Sequence, residues 1–279
     1  MRTDQAAAKP RQASDLVLRG IFLFFIGLLV VLPVLAISVE AFRSGFGSLW
    51  AQITHPQALA ALWLTLRMAM IMVLINVLTG TATAWVLVRH QVPFRGLINA
   101  LVDIPFAIPT VVTGMMLVVL YGPRSVLGTL LARHGIEVVF SRPGIVLALL
   151  FVTFPFVVRA VQPVLMEMEG DMEEAASTLG AGRIRTFFRV VLPTLLPAIL
   201  SGAALSFSRA LGEFGSIIIV AGNIPMRTQV ASVYIYGEIE SGSPESAMGL
   251  SVVLLVISLL TLLVLNFLQQ RNQGHAESN

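Results

Sequence analysis

The sequence contains no cysteine and only one lysine, Lys9. The first absence excludes disulfides, cysteine-ligated zinc and thiol catalysis. The second excludes a phosphate-binding P-loop, whose pattern GxxxxGK[ST] needs a lysine after glycines. Lys9 stands in AAAKPR, with no glycine before it and a proline after it. Charge is scarce too: 12% of residues are charged against 56% hydrophobic, with a mean hydropathy of +0.87. That is too little polar surface to cover a soluble globule of 279 residues, so the chain reads as an all-α integral membrane protein. The net charge of +3 comes almost wholly from arginine and fits a positive-inside bias better than a nucleic-acid role. His55, His90, His134 and His275 all lie outside the apolar runs, which leaves an intramembrane enzyme without bases or metal ligands at depth. No catalytic residue, metal site or cofactor is assigned to this chain.

The apolar runs are long enough to span a bilayer at residues 20–39, 62–88, 97–120, 144–161, 195–220 and 247–268, about six transmembrane helices. The first follows a basic polar tail, residues 1–19, expected to be mobile, and reads as an uncleaved anchor because it lacks a small-residue cleavage site. An even number of spans places the tails 1–19 and 269–279 on one side. Arginine placement makes that side cytoplasmic: Arg2, Lys9, Arg11, Arg19, Arg89, Arg95, Arg183, Arg185, Arg189 and Arg271 gather there. Arg43, Arg124, Arg133, Arg142 and Arg227 fall outside. The outer segments 40–61, 121–143 and 221–246 read as loops with short surface helices. There is no internal repeat and no room for a soluble domain.

Three stretches carry more chemistry than an anchor needs. In DIPFAIPTVVTG, Asp103, Pro105 and Pro109 predict a broken third span, which either borders a wet pathway or is a kink with a structural Asp103. Arg159 in the fourth span is expected to snorkel to the interface. In SGAALSFSRALGEFGS, Ser206, Arg209, Glu213 and Ser216 fall near one helical stripe with Gly202, and Arg209 and Glu213 stand at i, i+4. A mid-bilayer charge costs roughly 2.5 to 3.5 kcal/mol, so this pair faces protein or water, as a structural ion pair or as a guide for an anion. Asn76, Gly80 and Thr83 read as a helix-packing stripe. Between the fourth and fifth spans lies EAASTLGAGRIRTFFRVVLP. Glu167, Glu169, Asp171, Glu173 and Glu174 gather before Gly180, and Arg183, Arg185 and Arg189 gather after it. The pattern predicts a helix ended by a left-handed glycine, then a second helix from about Arg183 that stops before Pro193.

The spacing from Glu174, Ala175 and Ala176 to Gly180, and on to Leu192 and Pro193, resembles the EAA loop of permease subunits of binding-protein-dependent ABC importers; Val190 departs from the usual Ile. The resemblance implies a type I importer permease fold over 62–268, with residues 163–193 docking into a groove of an ATPase subunit. RALGEFG is similar to the fifth-span motif of oxyanion importers, and AGNIPM is similar to the sulfate/thiosulfate permease subunit of the T type. What this implies is import of sulfate or thiosulfate across the bacterial inner membrane. Molybdate or another oxyanion is the runner-up, and a proton-coupled secondary transporter using Asp103 and Glu213 is the rival class. The implied partners are an ATP-binding subunit dimer, a second similar permease subunit, a periplasmic sulfate/thiosulfate-binding protein and membrane lipid. Active transport suits such a substrate, because a dianion moving inward costs about 4.6 kcal/mol at 100 mV.

Overall fold

The computed structural model describes residues 11–168 and 171–276, and among them there is helix but no strand. The helices are α1 (Arg11–Ile26), α2 (Leu32–Arg43), α3 (Phe46–Thr54), α4 (Pro56–Arg89), α5 (Arg95–Ala107), α6 (Thr110–Tyr121) and α7 (Val126–Arg133). They continue as α8 (Arg142–Glu167), α9 (Asp171–Thr178), α10 (Arg183–Thr186), α11 (Leu192–Leu211), α12 (Gly215–Ala221), α13 (Ala231–Glu240) and α14 (Pro244–Ala276). Among the described residues five helices are long and apolar enough to cross a membrane, and the bent pair α5–α6 makes a sixth if counted as one span. The chain divides into two compact units, residues 1–51 and 52–279.

In the first unit, α1 and α2 run together as one apolar helix, Asp15–Arg43, joined by a π-helical turn at Gly27–Val31. Leu16, Phe22, Leu29 and Leu35 are exposed on different flanks, as on a helix solvated by lipid. The helix is longer than the expected 20–39. It also makes residues 11–19 helical instead of a loose tail, because the apolar pattern already begins at Leu16. Residues 1–10 lie outside the described part.

In the second unit α8 is central: 56% of its apolar stretch is buried, against 11% for α14. A Cβ on Gly80 of α4 would meet Val157 Cβ at 2.9 Å, and one on Gly202 of α11 would meet Val157 Cα at 2.7 Å. Two glycines thus let α4 and α11 both close on α8 at one valine. Asn76 Nδ2 donates to Thr153 Oγ1 of α8 at 2.8 Å, so Asn76 and Gly80 pack as expected, whereas Thr83 bonds the carbonyl of Thr79 in its own helix. One core lies toward the end bearing α9 and α10, around Leu87, Val161, Leu165 and Val191. Another lies toward the far end, around Met72, Leu149, Leu211 and Ile217. α14 joins through Ala58, Ala61, Tyr234 and Leu250. α14 runs on to Ala276, beyond its apolar stretch Pro244–Phe267, so residues 269–276 are helical.

Candidate functional site

α9 places Glu174 and Ala175 outward and Ala176 half-buried. Its last turn closes with Gly180 N–H on Ser177 O (2.9 Å) and Ala181 N–H on Ala176 O (3.0 Å), and Gly180 has φ +81°. This is the paired bonding of a left-handed glycine stop, as the sequence predicts. Glu169 lies outside the described residues. The second helix does not stop at Pro193. Residues Arg183–Leu211 form one continuous helix, because a π turn at Phe187–Val191, with Leu192 N–H on Phe187 O, widens the helix before the proline. Leu192 is half-buried and Pro193 lies exposed on the helix flank. The same sequence of events, π turn, leucine, proline, occurs at Gly27–Val31, Leu32 and Pro33.

Beside the glycine turn, Leu179, Ile184 and Phe188 are 88%, 77% and 61% exposed. Apolar side chains standing out from a loop rimmed by Arg183, Arg185 and Arg189 mark a contact surface. One partner of this loop was invisible in the sequence. Arg89, at the end of α4, pairs with Glu173 of α9 at 2.8 Å and donates to Met168 O at 3.1 Å. Between α9, α10 and the end of α4 lies a cavity of about 740 Å³, lined by Trp85, Arg89, Glu173, Ser177 and Phe187 among others.

At the far end, the fifth span does not run on to Val220. It ends at Leu211, and α12 begins at Gly215. Glu213 lies in the turn between them, 1% exposed. Its Oε2 meets Arg209 Nη1 at 2.8 Å, and its Oε1 accepts from Ser216 N–H at 3.0 Å and Ser216 Oγ at 2.9 Å. Ser206 is not part of this group: it is buried, with its Oγ 3.4 Å from Thr153 O on α8. The predicted stripe is therefore a trio, Arg209, Glu213 and Ser216, in which the Arg209 side chain keeps 36% of its surface exposed.

The third span is broken as expected. α5 and α6 meet at 111°, with Ile108 and Pro109 extended between them and Pro105 inside α5. Asp103 is held by Arg159 of α8 through both oxygens, Nε to Oδ1 at 2.7 Å and Nη2 to Oδ2 at 2.6 Å. Arg159 also donates to Gln162 Oε1 at 2.7 Å and to the carbonyl of Asn99 at 3.0 Å. Arg159 is thus paired across helices with a bidentate carboxylate, a pairing the sequence alone does not show. Asp103 and Glu213, the two carboxylates a proton-coupled carrier would use, are each taken by a guanidinium.

Residues 76–274 match the family of binding-protein-dependent transport system inner membrane components. The chain belongs to that family. This permease chain is 42% identical over 252 residues to the sulfate transport system permease protein CysT of Escherichia coli, covering 90% of this chain and 91% of the relative. It is 41% identical to the protein of the same description from Synechocystis, covering 91% and 89%. It is 44% identical to a probable sulfate transport system permease protein of Chlorokybus atmophyticus, covering 90% and 87%. Its fold matches that of a bacterial alginate ABC transporter in complex with an alginate-bound periplasmic protein, with a TM-score of 0.75 at 19% identity, over 93% of this permease and 96% of that chain. The permease is thus a transport component of an ABC importer and not an enzyme. The matched region takes in the broken span, the α9–α10 loop and the Glu213 turn.

Proposed function

We propose that this chain is one membrane-spanning subunit of an ATP-driven importer that carries sulfate or thiosulfate across the bacterial inner membrane. The observation that supports the substrate most is identity above 40% to sulfate transport permease proteins, at about nine-tenths coverage of both chains. In this reading the α9–α10 loop, with Glu174, Ala175, Ala176 and Gly180, docks an ATPase subunit on the cytoplasmic side and takes both tails to that side. Leu179, Ile184 and Phe188 supply the apolar contact there, and Leu192 and Pro193 seat the loop on α11. A second similar permease subunit closes the pathway wall, and a periplasmic binding protein delivers the anion at the far end. The elbow at Asp103, Pro105 and Pro109 and the trio Arg209, Glu213 and Ser216 border the pathway from the two ends. Arg209 is the guide for the anion, since its charge is only part-covered. Ser206 serves packing.

The test is uptake of radiolabelled sulfate by cells whose only importer of this kind contains this chain, with competing anions. Uptake should fall with excess thiosulfate and persist with equimolar molybdate. Strong competition by molybdate with none by thiosulfate would move the substrate to the other oxyanion.

A further inference from the structure

α9 is poorly anchored for a helix that has to pass force. None of Met172 to Thr178 is fully buried, and the helix lies over the 740 Å³ cavity instead of over packed side chains. Across that gap stands Arg89. Its guanidinium holds Glu173 at 2.8 Å, and the two side chains are only 22% and 29% exposed, which spares the pair much of the screening that weakens surface pairs. It also donates to the carbonyl of Met168, the residue that closes α8, at 3.1 Å. Its flat face lies 5.9 Å from the centre of the Trp85 ring, one turn back on α4. Trp85 in turn meets Phe187 edge-on at 5.4 Å, at the π turn through which α10 enters the fifth span. One side chain therefore touches the last turn of α4, the end of α8 and the middle of α9.

We propose that Arg89 is a positioning residue for coupling: it carries displacement of α9 to α4 and α8, which share the core around Leu87, Val161 and Leu165. The proposal rests on the reading of α9–α10 as the ATPase-docking face. A helix over a void can rock without moving the bundle unless something stiff spans the void. Both contacts are made by one nitrogen, Nη2, so what sets arginine apart here is the guanidinium held against the Trp85 ring, a packing that a lysine ammonium on a flexible stem reproduces less well. Arg89 touches no docking side chain, so its loss leaves the exposed stripe Leu179, Ile184 and Phe188 in place.

The experiment purifies the whole complex, with ATPase subunits, second permease subunit and binding protein, carrying Arg89→Gln, Arg89→Lys, Glu173→Gln, or Arg89→Glu with Glu173→Arg. It records subunit recovery, basal ATP hydrolysis and sulfate moved per ATP in proteoliposomes. Arg89→Gln should assemble and hydrolyse ATP at the basal rate, yet move roughly five- to 150-fold less sulfate per ATP, the range of ordinary site-to-site coupling. Arg89→Lys should fall between, and the charge exchange should recover part of the loss. Three results overturn the proposal: an unchanged ratio in Arg89→Gln, failure of that variant to assemble, or no recovery on charge exchange. If the wild-type chain binds no ATPase subunit, the docking reading itself fails, and that is seen before any variant is compared.

Discussion

Glu213 is the side chain with most to lose. It is almost wholly buried, accepts two bonds from Ser216 and meets Arg209, while Ser232 Oγ donates to its backbone carbonyl at 2.6 Å. Removing one partner of a buried pair costs about 3–5 kcal/mol when the charge left behind stays buried, and less when it reaches solvent. Arg209→Gln, which strands the buried Glu213 carboxylate, should therefore lower the thermal midpoint in detergent more than Glu213→Gln, which leaves a guanidinium that is 36% exposed. The double Gln variant should be more stable than the sum of the singles implies, by about 0.5–3 kcal/mol; strict additivity would show that the two side chains do not work together. The spacing i, i+4 made this pair legible in the sequence. Arg159 with Asp103, and Arg89 with Glu173, were not legible, because each joins helices far apart in the chain and no periodicity reports which helices meet.

Elements were read well where composition decides and poorly where the hydrogen-bond register does. Each apolar run falls on a helix long enough to cross a membrane or, for 97–120, on the bent pair α5–α6, and prolines 105 and 109 located the elbow between them. The π turns before Pro33 and Pro193 left no trace in apolar periodicity, so a continuous helix at Pro193 was read as a stop. Helix ends also ran past the apolar runs: α4 has 34 residues, about 51 Å of helix, against about 30 Å of hydrocarbon core, so it tilts or projects. The contact between α6 and α12 rests on Gly114, where a Cβ would meet the Ser216 carbonyl at 2.8 Å, backbone that cannot turn aside. Gly114→Val should destabilise the fold by about 1–3 kcal/mol. It should reduce the amount of intact permease extracted from membranes, whereas Gly96→Ala, where nothing lies within 4 Å, should not. Equal recovery of the two variants would mean that α6 and α12 do not pack this closely.

At the scale of the whole molecule, a chain with no P-loop lysine, a lipid-like exposed helix at Asp15–Arg43 and an outward-facing loop at α9–α10 is built to work within an assembly. Its family and general fold were legible from motif spacing. The trio at Glu213 and the strut at Arg89 needed the packed helices. The central claim is that transport is driven by ATP hydrolysed on another polypeptide docked at α9–α10. It is tested most directly by sulfate accumulation in proteoliposomes assembled with this permease and its partner subunits, then with the ATPase subunits left out. Accumulation should require ATP, the ATPase subunits and the binding protein together, and the permease alone should neither hydrolyse ATP nor concentrate sulfate. Accumulation by the permease alone, on addition of ATP or of a proton gradient, would contradict the account.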